Sequence, residues 1–319
     1  MKARVALDLP GRYPRTAVAA GALAVSTSSI VVRLSGASPG TASVYRCLLG
    51  TPFLAVLAAA ERVGRPARPR HERVVAWLAG ALLAGDLLLW TQAIGEVGAG
   101  LSTVLVNVQV VLVPLLAFVV DREPVTARFL LSLPVLLFGV ALAGGLVDGG
   151  IGSDPVLGTV HAIFAAVCYA GFLYLLRRVN HRAAAARSML DVTICAALVS
   201  LVGGALWHGV DLVPGWAVVG WMLVVALGSQ VLGWLLVAGA TGQLASQVGA
   251  ILLLLTPVGA VLLGYLVLGE RPTATQVLGC VLVLVSVQVA TLRVRSRDDR
   301  DHAAPDECDG VDRATSGAD

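Results

Sequence analysis

Four polar side chains occur at similar depths inside otherwise apolar stretches of this chain: Arg46, Asp86, Asn107 and Gln109. A charged group inside a lipid-embedded helix costs about 2.5–3.5 kcal/mol on insertion scales, so each one requires a physical reason. Counted from the outer end of each stretch at about 1.5 Å per residue, Arg46 lies roughly 8 Å deep, Asp86 roughly 13 Å and the two amides about 9–12 Å. Because the four share one depth band, they predict a polar pocket that opens outward.

The chemistry expected of this pocket follows from the side chains. Asp86 would contact a cationic group or carry a proton, and Arg46 would bind a carboxylate. Trp90, one helical turn from Asp86, would form an apolar or cation–π wall. In the alternative interpretation Arg46 and Asp86 form an ion pair that only holds two helices together, as buried charges normally do. Asn107 and Gln109 are also typical of hydrogen bonds between helices in lipid.

The second half of the chain repeats polar landmarks of the first. A shift of 144 residues places Asp86 on Gln230 and Trp90 on Trp234. A shift of 147 residues places Glu123 on Glu270 and Thr126 on Thr273. The order is kept and the offsets are nearly constant, which indicates an internal duplication. We therefore add Gln230 and Trp234 to the predicted solute-binding residues.

The elements that would position these residues are apolar runs separated by short polar loops. The sequence is 57% hydrophobic and 13% charged, which exceeds what a soluble domain of this length can bury. Ten runs are long enough to form helices across a bilayer. They are approximately 17–33, 41–60, 74–95, 101–120, 127–147, 156–176, 188–207, 216–238, 243–268 and 274–292. Five runs per repeat is an odd number, so the second repeat must insert upside down, and we predict an all-α integral membrane protein of two inverted five-helix repeats.

The distribution of basic residues predicts which side each loop faces. With the N-terminus inside, 20 of the 23 Lys and Arg residues fall on the inner side or in the terminal segments. Cytoplasmic loops have such an excess. We expect a multi-pass protein of the bacterial cytoplasmic membrane with both termini in the cytoplasm. The predicted units are an N-terminal segment 1–16, repeats 17–147 and 156–292, and a disordered tail 293–319.

No cofactor or metal is expected. The five cysteines have no metal-ligand spacing, and four lie in apolar runs, where a thiol acts as a small hydrophobe. The sidedness of the charge indicates topology and not nucleic-acid binding. The expected partners are a small-molecule solute and the lipid bilayer, and the chain would act as a monomer or a homodimer.

Several motifs resemble those of a known family. They are Leu268-Gly269-Glu270-Arg271-Pro272 with the upstream Pro257, Asp121-Arg122-Glu123-Pro124, Gly98-Ala99-Gly100-Leu101-Ser102-Thr103, and Tyr45-Arg46. Together with the duplication, they make residues 17–292 similar to EamA-type transporters of the drug/metabolite transporter superfamily. The resemblance implies a transport role, usually the export of amino acids, metabolites or drugs.

Three functions are compatible with these features. The first is a secondary transporter that works by alternating access and exports a small metabolite, amino acid or drug-like solute. The second is a membrane-embedded enzyme acting on a lipid-linked substrate, although the sequence has no H-E-x-x-H motif and no phosphate-binding loop. The third is a receptor or assembly factor that docks through residues 293–319. We predict the transporter, with no catalytic residues and with Asp86 as the proton-coupling residue.

Overall fold

The structure is a computed structural model that describes residues 13–62, 69–122, 127–145, 147, 152–179, 185–233, 236, 252–253 and 255–291. Within these ranges all regular secondary structure is helical. Seven helices are long and apolar enough to cross a membrane, and three shorter apolar helices accompany them. Large apolar side chains such as Leu131, Leu137 and Val202 face outward, as expected for surfaces that lipid solvates. The prediction of an all-α, multi-pass membrane protein is thus confirmed.

Some predicted features lie outside the described residues. Among them are the predicted site residue Trp234, the repeated glutamate Glu123, the N-terminal residues 1–12 and the tail 293–319.

The first half of the described chain contains six helices. They are α1 Pro14–Ser35, α2 Pro39–Arg62, α3 Arg70–Val97, α4 Ala99–Val106, α5 Gln109–Asp121 and α6 Ala127–Ala143. Helix α3 passes directly into α4 through Gly98, whose φ of 94° is a conformation that few residues other than glycine adopt. The predicted run over 101–120 corresponds to one candidate membrane span, Ala99–Asp121, within which a turn at Asn107 and Val108 separates α4 from α5.

The second half has a similar series of helices. They are α7 Pro155–Val179, α8 Ala185–Trp207, α9 Gly215–Val224, a π-helix Val225–Gly233, α10 Leu255–Leu268 and α11 Ala274–Thr291. Helix α9 continues into the π-helix without a break. A π-helical turn is rare and often occurs at a functional site, because it rotates the side chains that follow it.

Helices of the two halves pack against each other. Helix α3 packs on α7 and α8, α2 on α8, α6 on α11, and α1 on α10. Glycine allows two of these contacts to be very close. A Cβ atom on Gly40 would lie 2.9 Å from Gly204 Cα, and one on Gly139 would lie 3.0 Å from Gly279 O. Small residues at such crossings let helix backbones approach in lipid, where no hydrophobic effect drives association.

Polar contacts join the helix ends. Asp121, at the end of α5, accepts a hydrogen bond from the Tyr174 hydroxyl at 2.6 Å and another from Arg178. Both donors lie in the last turns of α7. The aspartate of the first-half motif therefore ties α5 to the first helix of the second half.

Candidate functional site

A cavity of about 340 Å³ lies between the two halves of the chain. Both halves supply its wall, with side chains from α1 to α5 on one side and from α7, α8, the π-helix and the start of α10 on the other. Its polar and aromatic lining residues are Ser28, Arg46, Asp86, Trp90, Thr103, Asn107, Gln109, Tyr169, Phe172, Gln230 and Thr256. The remaining lining is aliphatic or methionine, so the polar groups stand in an apolar setting.

The structure brings six of the seven predicted site residues to this one cavity. They are Arg46, Asp86, Trp90, Asn107, Gln109 and Gln230. They come from α2, α3, the turn between α4 and α5, α5 and the π-helix, and among the seven only Trp234 lies outside the described residues. A role for these residues in solute binding stays a prediction.

Arg46 connects the two halves across the cavity. Its Nε donates a hydrogen bond to Gln230 Oε1 at 2.8 Å, although the two residues are 184 positions apart in the chain. Its guanidinium carbon also lies 5.8 Å from the centroid of the Trp90 ring, within cation–π range. The cation next to the predicted tryptophan wall is therefore Arg46, and the π-helix positions the acceptor Gln230.

Asp86 is buried without a hydrogen-bond partner for one of its carboxylate oxygens. Asp86 is 6% exposed, and its Oδ1 atom makes no hydrogen bond to any described group. Within the described chain, Arg46 and Asp86 form no ion pair within 4 Å, so the alternative of a helix-locking pair does not match this geometry. The two charges still attract each other across the cavity. A buried, unpaired carboxylate oxygen is costly unless a proton, water or ligand group satisfies it.

The two amides next to the α4–α5 turn have different surroundings. Asn107 donates from Nδ2 to the Thr103 carbonyl at 2.7 Å, within its own helix. The interpretation that Asn107 bonds a neighbouring helix was therefore wrong. Its side chain instead bonds the Thr103 carbonyl, which the end of α4 leaves without a backbone partner. Gln109 lines the cavity at the first position of α5.

The sequence analysis missed several residues of the cavity wall. Tyr169 and Phe172 stack with ring centroids 5.8 Å apart, and both face the cavity from α7. Tyr169 is a polar-tipped residue within an apolar run, so the criterion that found Asp86 also marks it, but the sequence does not show which direction it faces. Phe172 and Met189 gave no such signal, because the sequence does not indicate whether an apolar side chain in an apolar run faces a cavity or the lipid.

A second polar contact holds the helix that leads into the cavity. Glu270 Oε1 accepts a hydrogen bond from the Ala99 backbone N–H at 2.6 Å, and Oε2 accepts one from Gly100 N–H at 3.0 Å. These are the first two N–H groups of α4, which have no partner within the helix, and a carboxylate there also complements the helix dipole. Glycine is needed at the contact, since a Cβ on Gly100 would lie 2.8 Å from Val261 Cα. The glutamate of the second-half motif thus fixes the start of the helix whose next turns supply Thr103 and Asn107.

His161 pairs with Glu96 away from the cavity lining. Its Nδ1 lies 2.5 Å from Glu96 Oε2, and Gln92 Nε2 donates to Glu96 Oε1 at 2.7 Å. The His161 ring also contacts Trp207 edge to face at 5.6 Å. These contacts link α3, α7 and α8 near their ends, and they account for a buried glutamate that the sequence analysis did not consider.

The potential metal ligands are dispersed in the part of the chain that the structure describes. Within it, no three His, Cys, Asp or Glu side chains are grouped as metal ligands. Cys47, Cys168, Cys195 and Cys280 are free thiols.

Comparison with known proteins identifies the family. The sequence model of the EamA-like transporter family matches residues 16–145 and 156–292. The chain belongs to this family. Both halves match the same model, so the duplication inferred from the polar landmarks is a repeat of the EamA unit. The chain is therefore a membrane transporter of the drug/metabolite transporter superfamily.

A solved structure described as "Crystal structure of protein" has the same fold. It is 16% identical to this chain with a TM-score of 0.59, and the similarity covers 87% of this chain and 97% of that one. No curated protein matches the chain significantly.

Proposed function

We propose that this EamA-family protein is a secondary transporter that exports a small metabolite, amino acid or drug-like solute by alternating access. The observation behind this proposal is the cavity that both repeats enclose, with Arg46 bonded to Gln230 from one repeat to the other. A site at the interface of two repeats can open to either side when one repeat rocks against the other. An enzymatic role is not part of the proposal.

The arrangement within the membrane supports alternating access. We propose ten spans in two oppositely inserted repeats at 17–147 and 156–292, in the bacterial cytoplasmic membrane with both termini in the cytoplasm. The packing of α2 on α8 and of α6 on α11 supports this arrangement, because each pair joins corresponding runs of the two repeats. Reporter fusions after Arg122 and Arg271 test the topology: we expect opposite sides, and a shared side would refute it.

The charges of the cavity limit the solute. Arg46 would bind an acidic group, Asp86 would bind a cationic group or a proton, and Trp90 would cover an apolar part. Asn107, Gln109 and Gln230 would orient polar groups, and Trp234 would act as the second-repeat counterpart of Trp90. A volume of about 340 Å³ is at the small end of ligand pockets. The solute is accordingly small, and one protein chain is sufficient to enclose it.

Asp86→Asn tests both the solute site and the coupling. The amide keeps the size of the side chain but cannot exchange a proton, so we expect flux driven by a pH gradient to fall to the level of protein-free vesicles. The solute would first be found by comparing exported metabolites between a deletion strain and an overexpressing strain. Purified protein in vesicles would then be assayed with that solute and an imposed pH gradient.

Asp154→Asn is the matched control for this measurement. Asp154 caps the start of α7 through Leu157 N–H at 3.0 Å and does not line the cavity. We expect its variant to transport like the unaltered protein. If Asp86→Asn transports as well as the control, Asp86 has no coupling role, and if neither the unaltered protein nor the control moves any solute, the transporter proposal fails.

A further inference from the structure

A groove of about 680 Å³ lies on the outer surface of the helices, separate from the cavity. It is lined by Arg70, Arg73, Val74, Trp77, Leu78 and Ala81 of α3 and by Cys195 of α8. The α3 residues have helical spacings of three and four, so they form one stripe along a single face. The groove therefore changes in character along the helix axis, from two arginines to an apolar floor.

The arginines lie in the first turn of α3, at the end of a helix that is long enough to cross the membrane. Arg70 is the first residue of a helix that is long and apolar enough to span the membrane, and Arg73 is one turn further in. Both side chains are exposed. In the described part of the chain, neither has a carboxylate within 4 Å, and Glu72 of the same turn is not among the lining residues. The two guanidinium groups are thus free to bind an anion.

The apolar part of the groove is open to lipid. Val74 is 58% exposed, Trp77 41% and Leu78 55%, so these side chains would contact acyl chains. The stripe from Arg70 to Ala81 extends about 16 Å along the helix. A tryptophan one turn below surface arginines is typical of the boundary between headgroups and hydrocarbon.

Tight packing of α3 on α8 gives the groove a fixed floor. The Cys195 thiol donates to the Trp77 carbonyl at 3.0 Å. A Cβ on Gly80 would lie only 2.6 Å from Cys195 Cβ, which shows how closely the two helices approach. The groove is consequently a shaped surface between two helices and not a gap between mobile side chains.

We propose that this groove binds an anionic phospholipid of the surrounding leaflet. The phosphodiester would be held by Arg70 and Arg73, since guanidinium groups match phosphate oxygens in geometry and charge. One acyl chain would lie along Val74, Trp77 and Leu78. A free phosphate would use only the arginine end, so the apolar floor favours the lipid. Basic pockets between transmembrane helices are suited to anionic headgroups.

The experiment measures which lipid contacts Trp77. The full-length chain is placed in phosphatidylcholine vesicles, and dibrominated phosphatidylglycerol or dibrominated phosphatidylcholine is titrated in. Bromine quenches nearby tryptophan, and the Trp77 signal is the difference between the unaltered chain and Trp77→Phe. Each basic side chain near the membrane surface strengthens binding of an anionic lipid by about 1 kcal/mol, or about fivefold. We therefore expect half-maximal quenching at a fraction of dibrominated phosphatidylglycerol about fivefold to 25-fold lower than that of dibrominated phosphatidylcholine.

Variants distinguish this site from a general attraction to anionic lipid. Arg70→Gln combined with Arg73→Gln should abolish the preference, and each single change should lower it about fivefold, which keeps the test available if the double variant does not fold. Arg15→Gln, at the exposed start of α1 outside the groove, should leave the preference unchanged.

Several results would overturn the proposal. Equal quenching by the two lipids would show that the groove does not select an anionic headgroup. An equal loss in Arg15→Gln would indicate diffuse attraction, and competition by inorganic phosphate would indicate a phosphate site instead of a lipid site.

Discussion

Glu270→Ala should loosen the start of α4. The change removes both acceptors from the N–H groups of Ala99 and Gly100, which Glu270 binds at 2.6 and 3.0 Å. A hydrogen bond to a charged group contributes about 1.5–3 kcal/mol. Glu270 is half-buried, so water replaces part of this interaction in the variant. We therefore expect a net local loss of about 2 kcal/mol, less than the sum of two such bonds.

Hydrogen exchange measures this loss at the contact itself. When exchange follows local opening, a loss of about 2 kcal/mol accelerates exchange about 30-fold. The peptide containing Ala99 and Gly100 would be followed by mass spectrometry on protein in lipid nanodiscs. Glu270→Gln should give an intermediate rate, because the amide keeps one oxygen acceptor but presents N–H groups to the other backbone donor.

Asp154→Ala serves as the matched control for the Glu270 variant. It removes a carboxylate that caps α7 through Leu157 N–H at 3.0 Å. We expect faster exchange at the start of α7 and no change at Ala99 and Gly100. Unchanged exchange at Ala99 and Gly100 in Glu270→Ala would refute the reasoning, since the glutamate would then not hold the helix.

Two further substitutions test other contacts. Arg46→Lys removes the Nε donor to Gln230 Oε1 and the planar guanidinium proposed to bind an acidic group of the solute. We expect solute affinity in the vesicle assay to fall about tenfold, because one lost hydrogen bond between charged groups costs about 1.5–3 kcal/mol and about 1.4 kcal/mol corresponds to tenfold; unchanged affinity would contradict a solute role for Arg46. Gly279→Ala places a Cβ 2.3 Å from Ala143 N and should destabilise the protein by about 1–3 kcal/mol, seen as a lower thermal midpoint in detergent. Gly50→Ala is the control, because no neighbouring atom lies within 4 Å of its added Cβ. Equal thermal midpoints for the two variants would show that α6 and α11 can move apart without loss of stability.

The helical architecture was predictable because it depends on local properties. Run length and hydropathy indicate helices that can cross a bilayer, and a charged or amide side chain inside such a run is conspicuous. The repeat was also predictable, since polar landmarks such as Asp86 and Gln230 keep their order in both halves. Depth along the membrane normal follows from residue count and helical rise, which is why six predicted residues reached one cavity.

Contacts between helices were not predictable in the same way. Depth does not specify which direction a side chain faces around its helix, nor which helix is its neighbour. Arg46 was expected to meet a carboxylate or Asp86, and it bonds Gln230 instead. The break at Asn107 was also missed, because no proline or glycine marks it in the sequence.

For this protein, the sequence by itself determined a membrane-embedded, duplicated helical chain with polar groups at one depth. Only the tertiary structure decided that Glu270 holds the start of α4 across about 170 residues of chain and that Asp86 stays unpaired. The physical reason is that hydropathy and helical period act within one segment. Pairing depends on the rotation and close approach of helices from both repeats, and packing in lipid determines these only when the whole bundle has assembled.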